Sequence, residues 1–229
     1  MRIIFVRHGH PDYKNDCLTE LGHLHAEAAA ERLAGEDIRA IYSSSCGRAA
    51  ETAEHIAARF SLPVTKLDFM RELSWGSADG TELIESGHPW HTADDMTARG
   101  QTLMDPAWAV KEPFLHNRVC ASAAKAAAGF DEWLVPLGLK REGHYYRVLH
   151  QNSDTVVMTS HGGSSTAVLA HLLNLPFPFL CASVCPDFTA ITVLRFAMSE
   201  EGRLITPQVE ILNDARHIGS VALPATFDR

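Results

Sequence analysis

Short apolar runs alternate along the chain with longer stretches in which apolar residues recur every three or four positions. The runs 3–6 (IIFV), 40–42 (AIY), 64–69 (VTKLDF), 155–159 (TVVMT) and 190–196 (AITVLRF) predict strands, with a sixth at 208–212 (QVEIL). Helices are predicted between them. Residues 19–34 open with Thr19 as N-cap followed by Glu20, and set Leu21, Leu24 and Ala28 on one face. Residues 46–60 align Ala50, Ala53, Ala57 and Phe60. Residues 118–134 carry Val119, Ala123, Ala126, Ala127, Phe130 and Leu134, and residues 163–174 carry Val168, Leu169, Leu172 and Leu173 before Pro176. Strands that are short and apolar on both faces, alternating with helices, predict an α/β fold: a three-layer α/β/α sandwich around a mostly parallel sheet.

The stretch 77–117 breaks this rhythm. It holds Gly80, Gly87, Pro89, Gly100, Pro106 and Pro113 together with Trp90, Trp108 and Phe114. It is expected to be an insertion within a single domain spanning 1–229, with 81–117 and part of 138–153 forming a lid over one end of the sheet. The chain of 229 residues can bury a sizeable core. A formal net charge of −8 disfavours non-specific binding to nucleic acid or anionic membrane, but leaves room for a locally basic pocket. Cys17, Cys46, Cys120, Cys181 and Cys185 form an odd set without a CxxC pair, which reads as reduced thiols and a cytoplasmic location. No stretch approaches the roughly 20 apolar residues of a membrane span.

The unusual residues cluster at the ends of the predicted strands. Arg7 and His8 follow the first, SSSCGRA with Arg48 follows the second, MRELSWG with Glu72 follows the third, and SHGGSS with His161 and Gly162 follows the fourth. Each motif alone is unremarkable: an arginine at a helix start is usually a solvated charge, and His-Gly-Gly is often only a loop. In open α/β sheets, however, ligands bind outside the carboxyl ends of the strands, so all four converge on one crevice. There the residue types suit a phosphoryl group. Two arginines make forked contacts with its oxygens, a helix start at Gly162 offers backbone N–H groups, and a neutral imidazole can attack phosphorus. His161, if protonated, would add a further donor, and Glu72 with a raised pKa could protonate a leaving alkoxide.

These pieces resemble the histidine phosphatase superfamily, also called the phosphoglycerate mutase-like family. The matching segments are FVRHG (5–9), LTELGHLHAEAAAERLA (18–34), IYSSSCGRAAETAE (41–54), MRELSWGSADG (70–80), VVMTSHGG (156–163) and LNDARHI (212–218). The resemblance implies a phosphoglycerate mutase-like sandwich and a metal-independent phosphatase that hydrolyses a small phosphomonoester through a phosphohistidine. His8 would be the nucleophile; Arg7, Arg48, His161 and Gly162 would hold the phosphoryl group, and Glu72 would be the acid and base. It implies no metal and no cofactor. The partners would be a small phosphorylated substrate and inorganic phosphate as product, with no nucleic acid and no membrane. This chain departs from many relatives after RHG, where Pro11 and Lys14 stand in place of Thr or Ser and of Asn, and Asn15 follows one position late. Asp79 stands where relatives often carry Glu.

Four other functions compete. A mutase would shield its phosphohistidine under a basic lid, yet 81–117 offers only Arg99 and Lys111 besides histidines. A metal-dependent hydrolase is suggested by 13 histidines and by His88 and His91 beside Asp94 and Asp95, but HExxH is absent. A serine esterase lacks its GxSxG elbow, since 162–166 reads GGSST. A non-catalytic phosphate-binding module gains nothing from Glu72.

Overall fold

Residues 2–7 bury their side chains on both faces of a sheet, and this strand organises the molecule. The computed structural model describes residues 1–198 and 200–219; Ser199 and residues 220–229 of the expected 1–229 unit lie outside the described residues. The strands are β1 (Arg2–Arg7), β2 (Pro11–Asp12), β3 (Cys17–Leu18), β4 (Ile38–Ser44), β5 (Val64–Leu67), β6 (Leu139–Glu142), β7 (Tyr145–Val148), β8 (Thr155–Ser160), β9 (Ile191–Arg195), β10 (Leu204–Ile205) and β11 (Gln208–Asp214). The helices are α1 (Glu20–Arg32), α2 (Gly47–Phe60), α3 (Pro89–Ala98), α4 (Val119–Leu134), α5 (Gly162–Leu173) and α6 (Phe177–Ser183).

The central sheet has the order β11-β9-β1-β8-β4-β5. β1, β8, β4 and β5 pair in parallel, while β9 runs antiparallel to both of its neighbours. Alternate residues of β1 therefore feed two cores. Ile4 and Val6 pack with α1 and α2 through Ala29, Leu33, Ala53 and Ile56. Ile3 and Phe5 pack with α4, α5 and α6 through Phe130, Leu134, Leu172 and Phe177. Each such large apolar side chain contributes about 1.5–3 kcal/mol when fully buried. The result is the three-layer α/β/α sandwich that the strand and helix pattern predicts.

Register brings the strand ends level. Arg7 lies opposite Ser160, Ser43 opposite Thr159, and Ser44 opposite Leu67. The residues that follow β1, β4, β5 and β8 thus leave the sheet along one edge.

The structure corrects three expectations. First, α1 does not present Leu21, Leu24 and Ala28 to the core; Gly22, His25, Ala26, Ala29 and Ala30 are buried instead, and Leu24 is 51% exposed. The cause is a close crossing. A Cβ on Gly9 would lie 2.5 Å from the Gly22 carbonyl oxygen, and one on Gly22 would lie 2.1 Å from that of His10. Glycine is required where the two backbones meet and alanines pack beside it, so the inner face runs through Gly22, His25, Ala26 and Ala29 and Leu24 turns outward. Second, residues 138–153 are not part of a cover over the strand ends. They form the β6–β7 hairpin, extended by β10 into a separate sheet, and bury Leu139, Tyr146 and Val148 in the main core. Third, the strand at 64–69 stops at Leu67, where a 3-10 turn at Asp68–Met70 begins.

The insertion 81–117 contributes α3 and two short 3-10 turns. It packs onto α6, with Trp90 6.3 Å and Trp108 5.4 Å, ring to ring, from Phe177. Phe114 lies in the core beneath Trp108, so these two aromatics are structural.

His25 is fully buried, packs against Phe188, and neither ring nitrogen finds a partner. Burial, aided by His10 and His217, lowers its pKa from 6.5 to about 4. The unfolded chain then takes up this proton before the folded one does, so stability falls as pH drops from about 6.5 towards 4. A His25→Leu variant should escape this loss. Denaturant unfolding should show its stability relative to the parent rising, on the order of 2 kcal/mol, between pH 7.5 and pH 4.5. A difference independent of pH would contradict the assignment.

Candidate active site

His8 follows β1, and its backbone N–H still donates to the Ser160 carbonyl at 2.9 Å, which fixes the residue beside β8. The side chain is 1% exposed. Its Nδ1 lies 2.7 Å from the Gly9 carbonyl oxygen, which can only accept, so Nδ1 carries the proton. Nε2 is then a lone-pair nitrogen, and Arg48 Nε donates to it at 3.3 Å. Burial, then His161 and Arg7, push the imidazole pKa well below its usual value, so the ring is neutral.

Arg48 sits in the first turn of α2 and leans back over the strand ends, as helical side chains do. Asp16 aims it. Asp16 Oδ1 accepts from Arg48 Nη1 at 2.5 Å, while Oδ2 accepts from the Gly47 N–H at 2.8 Å and caps the helix. The guanidinium also lies 5.3 Å from the Tyr13 ring. Arg7 is held from the other side, where Nη1 donates to the Pro186 carbonyl at 2.5 Å and the guanidinium stacks 4.3 Å from the Phe188 ring. Its Nε is buried without a partner.

His161 ends the β8 segment and is fully buried, with its ring 5.1 Å from that of His8. Its Nε2 lies 2.8 Å from Ser44 Oγ. That oxygen accepts from the Cys46 N–H, and Nε2 is the one acceptor within reach of the Ser44 hydroxyl proton among the described residues, so Ser44 donates to Nε2 and the imidazole proton sits on Nδ1. Nδ1 is buried and has no partner. Burial, followed by Arg48 and Arg7, holds the pKa well down, so this donor is a neutral imidazole rather than the protonated one expected from sequence.

Glu72 lies against the start of α5. Its Oε1 accepts from its neighbour Leu73 N–H at 2.9 Å and from Ser164 N–H at 3.2 Å. Burial raises its pKa, against the opposing pull of these N–H groups, Arg7 and Arg48. A Cβ on Gly163 would fall 2.4 Å from Oε1, so the second glycine of HGG is needed for the carboxyl to reach this place. The five predicted side chains thus meet at one edge of the sheet, and Gly162 lines the same pocket as Arg7 and Glu72.

Several neighbours were not singled out from sequence. Asp16, Ser44, Pro186 and Phe188 each orient one of the five. Asn213 fixes the loop that carries Pro186: it accepts from the Asp187 N–H at 2.9 Å and donates to the Cys185 carbonyl at 3.0 Å. Only the LNDARHI match pointed near Asn213, and Pro186 acts through its backbone, which leaves no residue-type signal. Asn15 donates to Asp12 at 2.7 Å, whereas Tyr13 lines the pocket. In the insertion, Trp90 and His88 line it too; His91 packs against the His88 ring and His116 bonds to Asp79. Among the described residues, no group of three or more His, Cys, Asp or Glu side chains is arranged to hold a metal. No helix among them is long and apolar enough to cross a membrane.

Residues 3–129 match the profile of the histidine phosphatase superfamily, branch 1. The chain belongs to this superfamily. It is 24% identical to a probable phosphatase of Schizosaccharomyces pombe over 96% of each chain. It is 37% identical to a 2,3-bisphosphoglycerate-dependent phosphoglycerate mutase of Thermoplasma acidophilum, over 37% of this chain and 50% of that one. Among solved structures, a mycobacterial glucosyl-3-phosphoglycerate phosphatase in complex with inorganic phosphate superposes with a TM-score of 0.63 at 26% identity, covering 95% of this chain and 99% of the other.

The contact between Gly163 and Glu72 makes a sharp test of this superfamily site. Gly163→Ala puts a better helix former into α5 but crowds Glu72 and Leu73, so the variant should fold with at most a modest loss of thermal stability. Displacing the carboxyl by about 1 Å should nonetheless lower kcat on a phosphomonoester about a hundredfold. Full activity in a folded variant would show that the Glu72 position is not critical.

Proposed function

We propose that this histidine phosphatase hydrolyses a small phosphomonoester through a phosphoryl group carried on His8 Nε2. The observation that carries the reading is the pair of buried donors without partners, Arg7 Nε and His161 Nδ1, beside a neutral imidazole whose lone pair is fixed. Leaving a buried donor unpaired is unfavourable by about 1–3 kcal/mol, and phosphoryl oxygens would satisfy both.

The chemistry follows from these positions. An arriving phosphate dianion is a stronger acceptor for Arg48 than the imidazole is, so Arg48 turns its donors to the phosphoryl oxygens and frees Nε2. Nε2 attacks phosphorus, and the bond from phosphorus to the ester oxygen breaks. That oxygen takes the proton from Glu72, whose raised pKa keeps the proton available. In the second half, the Glu72 carboxylate takes a proton from water as the water oxygen attacks phosphorus. The bond to Nε2 breaks, the imidazole recovers its lone pair, and inorganic phosphate leaves. The two arginines and the donor of His161 stabilise the charge on the equatorial oxygens throughout.

The mutase reading is weaker. The two basic residues of the insertion are already engaged, Arg99 with Asp95 at 2.9 Å and Lys111 with Asp105 at 2.6 Å, and neither lines the pocket. Isomerisation of a phosphoglycerate by purified protein, faster than release of inorganic phosphate, would restore it.

His8→Ala should abolish turnover. Glu72→Gln should lower kcat/KM, which reports phosphorylation of His8, by about 10²–10⁴-fold for alkyl phosphates and barely change it for para-nitrophenyl phosphate, whose leaving group needs no proton, while kcat falls for both because the second half still needs the base. A parallel loss of kcat/KM on both would remove Glu72 from the role of acid. The pH profile of kcat/KM has a defined sense. The acid limb, where His8 takes up a proton, lies well below the usual imidazole range, and the alkaline limb, where Glu72 gives one up, lies above the usual carboxyl range. The alkaline limb should disappear in Glu72→Gln.

A further inference from the structure

The pocket that opens above Arg7 and Gly162 has a division of chemistry along its length. Its formally charged side chains, Arg7 and Glu72, both lie at the phosphoryl end. Tyr13 and Phe188 stand at that same end, their rings 6.5 Å and 5.9 Å from that of His8, and the rest of the wall is apolar and aromatic, with Trp75 and Trp90 alongside Leu73 and Pro89. Trp90 spends its indole N–H on the Val184 carbonyl at 3.2 Å, so only its ring remains to face a ligand. Trp75 is 38% exposed and stands edge-on to the His88 ring at 5.1 Å, with an interplanar angle of 82°. His88 Nδ1 is buried there without a partner, one polar contact in an otherwise apolar wall.

Among the described residues that line this pocket, Arg7 is the one Lys or Arg side chain. Arg7 is committed to the Pro186 carbonyl and the phosphoryl position, and burial holds His88 towards its neutral form. Arg71, Arg118 and Lys125 line a different groove, which meets the aromatic pocket only at Glu72. A carboxylate on the leaving group, placed in the aromatic pocket, would lie near Glu72 with no partner of opposite charge. Desolvating it there would be unfavourable. An apolar or aromatic group would instead displace water from four rings.

We infer that the leaving group of this enzyme is uncharged and aromatic or otherwise apolar, held by Trp75, Trp90, Tyr13 and Phe188, and that esters bearing a carboxylate are poor substrates. The inference rests on the phosphatase reading and specifies its substrate class. It also separates this pocket from the chemistry of the mycobacterial relative, whose named substrate, a glucosyl-3-phosphoglycerate, carries a carboxylate.

The test compares primary alkyl esters, so that leaving-group basicity does not decide the outcome: 2-phenylethyl phosphate, glycerol 3-phosphate, 3-phosphoglycerate and O-phosphoserine. The phenylethyl ester should exceed both carboxylated esters in kcat/KM by about tenfold or more, mainly through KM. Trp75→Ala, at an exposed position that should not disturb folding, should shrink that preference to within about threefold. As a binding control, phenylphosphonate should inhibit more strongly than phosphonoacetate. Equal or better turnover of the carboxylated esters, or a preference that survives both Trp75→Ala and Trp90→Ala, overturns the inference and leaves the phosphatase reading intact. Absence of His8-dependent hydrolysis of para-nitrophenyl phosphate overturns the phosphatase reading and this inference with it.

Discussion

The hydrogen bond from His8 Nδ1 to the Gly9 carbonyl fixes which nitrogen of a buried imidazole keeps its lone pair, and the rest of the site is arranged around that choice. An imidazole at the end of β1 is surrounded by Arg7, Arg48 and His161, so it cannot easily be protonated there. A neutral ring still has two tautomers, and only the one with its proton on Nδ1 offers Nε2 to a phosphoryl group. The constraint reaches well into the fold. The Gly9 N–H donates to Thr52 of α2 at 3.1 Å, and Gly9 itself is pressed against Gly22 at the start of α1. The crossing of β1 and α1 is therefore close, which is why alanines rather than leucines line the inner face of α1.

The remaining groups are each held from a different element. Arg48 hangs between Asp16 and Nε2, Arg7 between the Pro186 carbonyl and the Phe188 ring, and Glu72 on the first turn of α5. Asn213, at a left-handed φ of 51° in β11, braces the loop behind Arg7. Preorganised donors of this kind do their work without rearranging as charge develops, which is where most electrostatic catalysis comes from. The aromatic side chains that line the same pocket carry no formal charge.

Much of this was legible in the sequence, and the reason is physical. β1 and β8 were legible because strands buried on both faces are largely continuous apolar runs, whereas in β4 only the apolar centre at 40–42 signals the longer strand Ile38–Ser44. The meeting of the five candidate side chains was legible because parallel strands end at one edge and odd residue types accumulate there. The inner face of α1 was not, since hydrophobicity alone points to Leu24, whereas backbone approach at Gly22 sets the face. The β6–β7 hairpin is hard to read from sequence because Leu139, Tyr146 and Val148 are separated by polar residues, so no apolar run marks it. α6 gives little sequence signal because it has only seven residues, about two turns, and two prolines, Pro176 and Pro178, stand at its start. Asp16, Pro186 and Asn213 escaped because they act on backbone groups or on another residue's side chain, and contact of that kind has no local pattern.

The central claim is that phosphorus is bonded to His8 Nε2 during turnover. Rapid mixing with substrate, quenching in alkali and locating the phosphoryl group by mass spectrometry tests it most directly. The account predicts an alkali-stable, acid-labile phosphoryl group on the peptide bearing His8, formed within one turnover and lost on a chase with unlabelled substrate. A phosphoryl group found on another residue, or hydrolysis at full rate with no phosphorylated His8 during the first turnover, would contradict it.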